Sequence, residues 1–280
     1  MTIQQAIHRK THGRGWPFPA ALLVLAAVGC AVSQQQEVQM GQQYAAQIQE
    51  QLPIVRDPEI VRYINVLGDS LASVTDDRSL QWHFYVVDQM EINAFALPGG
   101  YIFVNRGLIE RAKTMSEVAG VIGHEIGHVT RRHSIKQMQK AQGANVGVTL
   151  ACILTNVCSS DVARTGIDLA AGGLFARFSR DDEAEADAEG VKTVIKAGID
   201  PRGIPAMFRI LLDERKQQPG AVETFFASHP LEESRIAATD ALIAKYPPAQ
   251  LKGLTVDSPN FEAFKARLKS LPPSPPPRKR

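Results

Sequence analysis

Apolar positions along the chain fall into helix-like and strand-like periods with clear punctuation between them. Residues 32–52 are glutamine-rich. From about Glu37 the apolar Val38, Ala45, Ile48 and Leu52 share one side of a predicted helix. A second helix is predicted from about Pro58 to Val74, with Ile60, Ile64, Leu67 and Leu71 at spacings of four, three and four. Trp82-His83-Phe84-Tyr85-Val86-Val87, closed by Asp88, reads as a strand. Asn93 to Asn105 reads as a hairpin, two short apolar strands around Pro98-Gly99-Gly100. Thr114 and Glu117 then make a capping box, and Val118, Ala119, Val121 and Ile122 carry the next helix inward. Residues 143–178 alternate glycine, alanine and apolar groups, a pattern that fits a buried helix or a flap over an active site. Its apolar part is too short for a membrane span. Ser179 caps a helix whose first turn holds Asp181, Asp182 and Glu183, favourable at the positive end of the helix dipole. Gly198, Asp200 and Pro201 stop it and start the next. Helices follow over about 202–217 and 231–245. Beyond Pro247 the periodicity fades, apart from an amphipathic piece at Phe261–Leu268. The proline-rich stretch from Leu271 to Arg280 is expected to be extended and disordered. The pattern predicts an α+β, mainly helical fold with a small sheet, and no internal repeat.

The chemistry concentrates in Gly123-His124-Glu125-Ile126-Gly127-His128. A helix advances 100° per residue, so His124 and His128 lie on one face, one turn apart. Two imidazoles at that offset can grip one zinc ion, and Glu125 beside the first can reach a water there as general base. With seven histidines in 280 residues, about 0.01 chance occurrences of H-E-x-x-H are expected. The alternative, an exposed polar turn, conflicts with the apolar run that precedes the motif.

Charge and cysteine place the chain. Basic residues 8–14, the nine-residue apolar run Ala20–Val28 and then Ala27-Val28-Gly29-Cys30 have the layout of a signal peptide. A cysteine directly after small residues resembles a bacterial lipobox, which implies lipidation of Cys30, although Ala27 stands where leucine is usual. Several acyl chains on one residue would anchor the protein stably. The alternative is a plain secretory signal. With Ala31 after the cysteine, the expected location is the periplasmic face of the outer membrane. Of the 31 basic residues, Arg9, Lys10 and Arg14 fall in the leader, which leaves 28 against 29 acidic residues and no basic patch for nucleic acid. Cys152 and Cys158 either close a small disulfide loop or remain two buried thiols.

Two histidines leave a catalytic zinc one protein donor short. The pattern H-E-x-x-H-x-x-G-x-x-H would need a glycine at position 131 and a histidine at 134, where this chain has Arg131 and Ser134. His133 lies about 140° around a continued helix from His128, on the wrong face. A lone strand histidine such as His83 reads as structural. The other common solution is a glutamate on a second helix, and Ser179-Arg180-Asp181-Asp182-Glu183-Ala184-Glu185-Ala186-Asp187 supplies candidates. Here the chain resembles the HtpX-like and CAAX-prenyl-protease-like gluzincin metallopeptidases, in particular their periplasmic lipoprotein branch of LoiP and BepA type. These pair H-E-x-x-H with a later S-R-x-x-E-x-x-A-D, matched here at every fixed position.

The resemblance covers roughly residues 35–245. It implies a zincin-like domain with the hairpin beside the H-E-x-x-H helix, and Zn2+, one per chain, on His124, His128 and Glu183. Asp187 would orient His124, with Glu185 and Glu189 on a solvated face. Asn93, Ala94, Phe95 and Ala96 look like the strand that pairs with substrate; an ordinary core hairpin is the alternative. Ser228-His229-Pro230-Leu231, with Arg235 beyond, looks like the late His-Pro motif of the family. There His229 would occupy the open metal position at rest or face the reacting carbonyl, unless it merely caps a helix.

The expected domains are a leader (1–29), a metallopeptidase domain (30–248) and a C-terminal piece with its tail (249–280). The expected function is zinc-dependent hydrolysis of peptide bonds in unfolded or misassembled envelope proteins, in contact with the envelope assembly machinery. A zinc-bearing chaperone that rarely cuts is the competing reading, though binding alone would not require Glu125. A third reading has the tail as the main contact to envelope partners.

Overall fold

The computed structural model describes residues 32–75, 77–140, 177–230 and 233–275. The expectations for the leader, Cys30, the Cys152–Cys158 pair and nearly all of 143–178 lie outside them.

The first described helix, α1 (Gln34–Gln51), starts three residues earlier than the apolar pattern suggested. Ser33 and Gln36 form a reciprocal capping box that starts the helix there. α2 (Pro58–Ala72) is capped by Asp57 and buries Ile60, Ile64, Leu67 and Leu71, the predicted stripe. Three strands follow: β1 (His83–Val87), β2 (Ala94–Leu97) and β3 (Tyr101–Asn105). β2 and β3 are the predicted hairpin, antiparallel with Ala94 opposite Val104. β1 pairs with β3 in parallel, which gives the order β1-β3-β2 and leaves β2 on an edge. The outer edge of β1 is sealed at Phe84, whose amide and carbonyl are both met by the Asn65 side chain. α1 lies close against the hairpin turn. A Cβ at Gly41 would stand 1.8 Å from the Pro98 carbonyl oxygen, and Gly99 holds φ at 80° beneath Val38.

The short α3 (Arg106–Arg111) leads into α4 (Met115–Thr130), where every residue from Met115 to Val129 is buried. α4 is the axle of the fold. Around it stand α2, the hairpin, α5 (Arg180–Lys196) and α6 (Gly203–Gln217), and their apolar faces join one core. α7 (Pro219–Ser228) and α8 (Glu233–Ile243) pack on α6, followed by α9 (Pro248–Leu251) and α10 (Pro259–Lys269). Among the described residues no helix is long and apolar enough to cross a membrane.

The C-terminal piece is tied into this core. The first free amides of α4 are met from far along the chain: Met115 N donates to Asp257 Oδ1 at 3.1 Å and Ser116 N to the Val256 carbonyl at 2.9 Å. α10 buries Phe261, Phe264 and Leu268, with Tyr63 of α2 stacked on Phe264. The segment from Leu271, expected to be disordered, is held as far as Ser274. Arg106 Nη1 donates to the Pro272 carbonyl and Ser274 Oγ to Asp88.

Candidate metal centre

α4 presents His124 and His128 with their Nε2 atoms 3.0 Å apart. α5 crosses α4 through small residues. A Cβ at Gly127 would lie 3.0 Å from the Ala186 carbonyl oxygen, and one at Gly190 would lie 3.2 Å from His124 N. This close backbone approach lets the first turn of α5 deliver Glu183 between the two imidazoles. Glu183 Oε1 lies 3.3 Å from His128 Nε2, and Oε2 lies 3.6 Å from His124 Nε2. Tetrahedral zinc with bonds of about 2.0–2.1 Å spaces neighbouring donors about 3.3 Å apart. The observed triangle matches that spacing.

A larger residue in the crossing should spread it. Gly127→Val is expected to cost about 1–3 kcal/mol through overpacking and to weaken metal binding. Thermal melts and chelator competition would measure both, and an unchanged variant would remove the crossing as the cause of the geometry.

Around the triangle each donor is held from behind. Asp187 Oδ1 stands 2.9 Å from His124 Nδ1, close but not aligned as a hydrogen bond. Arg235 grips Asp187 with two nitrogens, at 2.7 and 3.0 Å, and Glu183 with a third. Its guanidinium lies over the Phe208 ring and donates to the Pro230 carbonyl. His229 follows α7 as its C-cap residue, yet its side chain turns into the site. Nδ1 lies 3.0 Å from Glu183 Oε1 and Nε2 lies 3.6 Å from Glu125 Oε1. Together His124, His128, Glu183 and His229 form a fully buried group with the donor set to hold a metal ion.

Charge balance agrees with a divalent cation. Glu125, Glu183 and Asp187 are nearly fully buried around one guanidinium, that of Arg235, with His229 beside Glu183 and Glu125, a concentration of carboxylates that a divalent cation would balance. Burial pushes the His128 imidazole well below its usual range, which leaves it neutral as a metal donor must be. Burial pushes Glu183 up, but His229 and His128 outweigh it and hold the carboxyl well below its ordinary value. Asp187 is likewise depressed, against its burial, by His124 and Arg235. Glu125 behaves oppositely. Burial raises it, and neither carboxylate oxygen has a hydrogen-bond partner among the described residues. A buried carboxylate without a hydrogen bond among the described residues, met only by His229 Nε2 at 3.6 Å, is a costly arrangement in a purely structural core.

The remaining candidates sort themselves by position. Asn93 and Ala94 are buried at the start of the edge strand, while Phe95 and Ala96 are partly exposed. His83 stacks on Tyr101 in the sheet and is not in the metal group. The expectation of a solvated face at Glu189 is corrected, since Glu189 is buried and paired with Arg131 and Lys192. Three neighbours of the site went unassigned from sequence: Arg235; Phe178, stacked on His128 at 3.9 Å; and His133, at hydrogen-bond distance from His128.

A mainly helical fold with a small sheet and a helix-borne H-E-x-x-H pair defines a zincin-like metallopeptidase domain. Within that class the chain belongs to peptidase family M48, whose family model matches residues 58–243. It is 33% identical over 218 residues to the beta-barrel assembly-enhancing protease of Escherichia coli O157:H7, covering 75% of this chain and 44% of that protein. It is 30% identical over 229 residues to the putative beta-barrel assembly-enhancing protease of Vibrio cholerae serotype O1, covering 80% and 47%. Metalloprotease YcaL of Escherichia coli K12 is 34% identical over 146 residues, covering 52% and 56%. The chain thus spans about half the length of these curated relatives.

Proposed function

We propose that the chain is a zinc metalloendopeptidase of the Gram-negative envelope, with one Zn2+ on His124, His128 and Glu183. The observation that carries this reading is the buried Glu125 carboxylate, free of hydrogen bonds among the described residues, beside the donor triangle. When bound, zinc supplies a Lewis acid that lowers the pKa of water toward roughly 7. Glu125 takes a proton from the attacking water and passes it to the leaving nitrogen, a task suited to a carboxyl whose pKa burial has raised. Asp187 orients His124, and Arg235 holds Asp187 and Glu183 in register. His229, with Nε2 3.6 Å from Glu125, would face the reacting carbonyl or serve as a further metal donor at rest. Asn93, Ala94, Phe95 and Ala96 offer the edge strand to an extended substrate segment.

The names of the relatives support a substrate class of misassembled outer-membrane proteins and contact with their assembly machinery. The lipobox at Cys30 supports anchoring at the periplasmic face of the outer membrane. The test is incubation of the purified protein with unfolded casein, with and without 1,10-phenanthroline. Cleavage should disappear on chelation and return with added zinc. Cleavage indifferent to the chelator would overturn the metal reading, and substrate holding without cleavage would favour the chaperone.

A further inference from the structure

We propose that His133 is a positioning residue for the metal centre, receiving the outward N–H of His128 and relaying it to Glu185. The role presupposes His128 as a metal donor. His133 is fully buried, with Nδ1 2.9 Å from His128 Nδ1 and Nε2 3.0 Å from Glu185 Oε2. The two rings meet at 75°, edge against face.

Proton placement follows from these distances. An imidazole that gives its Nε2 lone pair to a metal carries its proton on Nδ1. His128 Nδ1–H therefore donates to His133 Nδ1, which must be the acceptor. The proton of His133 then sits on Nε2 and donates to the Glu185 carboxylate. The opposite tautomer of His133 would set two N–H groups against each other at 2.9 Å and turn a lone pair toward Glu185. One arrangement satisfies every polar atom in the row with both imidazoles neutral. The two histidine donors are thereby backed differently: His124 by a buried carboxylate directly, His128 by an imidazole and then a half-exposed carboxylate.

The backbone explains why a helical wheel excludes this contact. α4 stops at Thr130, Arg132 adopts a left-handed φ of 58°, and a new helical run begins at 133. Without glycine such a conformation needs support. Here Arg132 Nε donates to Glu37 Oε2 at 2.8 Å and Nη2 to the Val32 carbonyl at 2.6 Å, while Arg78 secures the same buried Glu37. The turn that swings His133 back onto His128 is thus pinned from α1. Phe178, stacked on the face of His128, leaves that ring little freedom.

Zinc affinity, measured by competition with a chromogenic chelator, decides the point in three variants of the full chain. His133→Leu fills the volume without an acceptor and should raise the zinc dissociation constant 10–100-fold. His133→Asn places Oδ1 near the lost Nδ1 and should recover most of that loss. Glu185→Gln, half-exposed, should raise the constant severalfold while the metal-free melting temperature stays put. In the cobalt(II)-substituted protein, the visible bands should shift in His133→Leu and return in His133→Asn. Leucine and asparagine variants that bind zinc alike would overturn the role, whether both match the parent or both are weak. Should His133→Leu fail to fold, a zinc affinity in Glu185→Gln unchanged from the parent would overturn it equally. A parent chain that binds no zinc would instead overturn the metal reading beneath it, and so identifies which of the two has failed.

Discussion

Glu125→Gln is expected to leave zinc binding intact and to lower kcat by about 10²- to 10⁴-fold, the usual worth of a positioned general base. The substitution is nearly isosteric. Neither Glu125 oxygen accepts a hydrogen bond among the described residues, so loss of the charge strands no donor. Burial already disfavours the ionised form, so the variant should fold at least as well as the parent. Metal content and the steady-state rate on a fluorogenic peptide separate the two effects. A zinc-loaded Glu125→Gln enzyme that cuts at the parental rate would end the assignment.

Glu183→Gln should behave in the opposite manner, losing the metal and part of the fold together. The side chain is 1% exposed and serves His124, His128, His229 and Arg235 at once. Removing one partner of a buried ion pair costs about 3–5 kcal/mol. Arg235 retains Asp187, so the lower end is expected, a fall in Tm of roughly 6–12 °C for a domain of this size. Zinc affinity should fall more than the 10–100-fold that follows loss of an outer partner. Calorimetry and chelator competition measure the two quantities. Parental zinc affinity in this variant would show that the third donor is another group.

What could be read from the sequence follows from where regular helices convert spacing into geometry. His124 and His128 share a face because α4 runs unbroken through both, and Asp187 falls one turn after Glu183 for the same reason. The choice of Glu183 among its acidic neighbours came from family resemblance; spacing alone did not single it out. His133 was rightly set aside as a metal ligand, but its contact with His128 was hidden because the helical wheel extended α4 past its true end. Nothing local marks the turn at Arg132, because its support comes from Glu37, 95 residues earlier. Arg235 was noted beyond the His-Pro motif but given no role, because its reach to Glu183 and Asp187 depends on the packing of α8 against α5, which no periodicity encodes. Glu189 was placed on a solvated face because its partner, Arg131, lies on another element. At the C-terminal end the amphipathic piece was visible in Phe261, Phe264 and Leu268, but its target was not.

With the proposed zinc on His124, His128 and Glu183, the glycine-lined crossing of α4 and α5 would also couple metal supply to the survival of the molecule. One proposed donor pair rides on one helix and the third on the other, so zinc would be gripped only while the helices stay seated. Retention and folding then belong to a single linked equilibrium. Free metal at a hundred times its dissociation constant would add about 2.7 kcal/mol to the folded state. In a zinc-starved compartment the chain would lose that margin at the same moment as its cutting power.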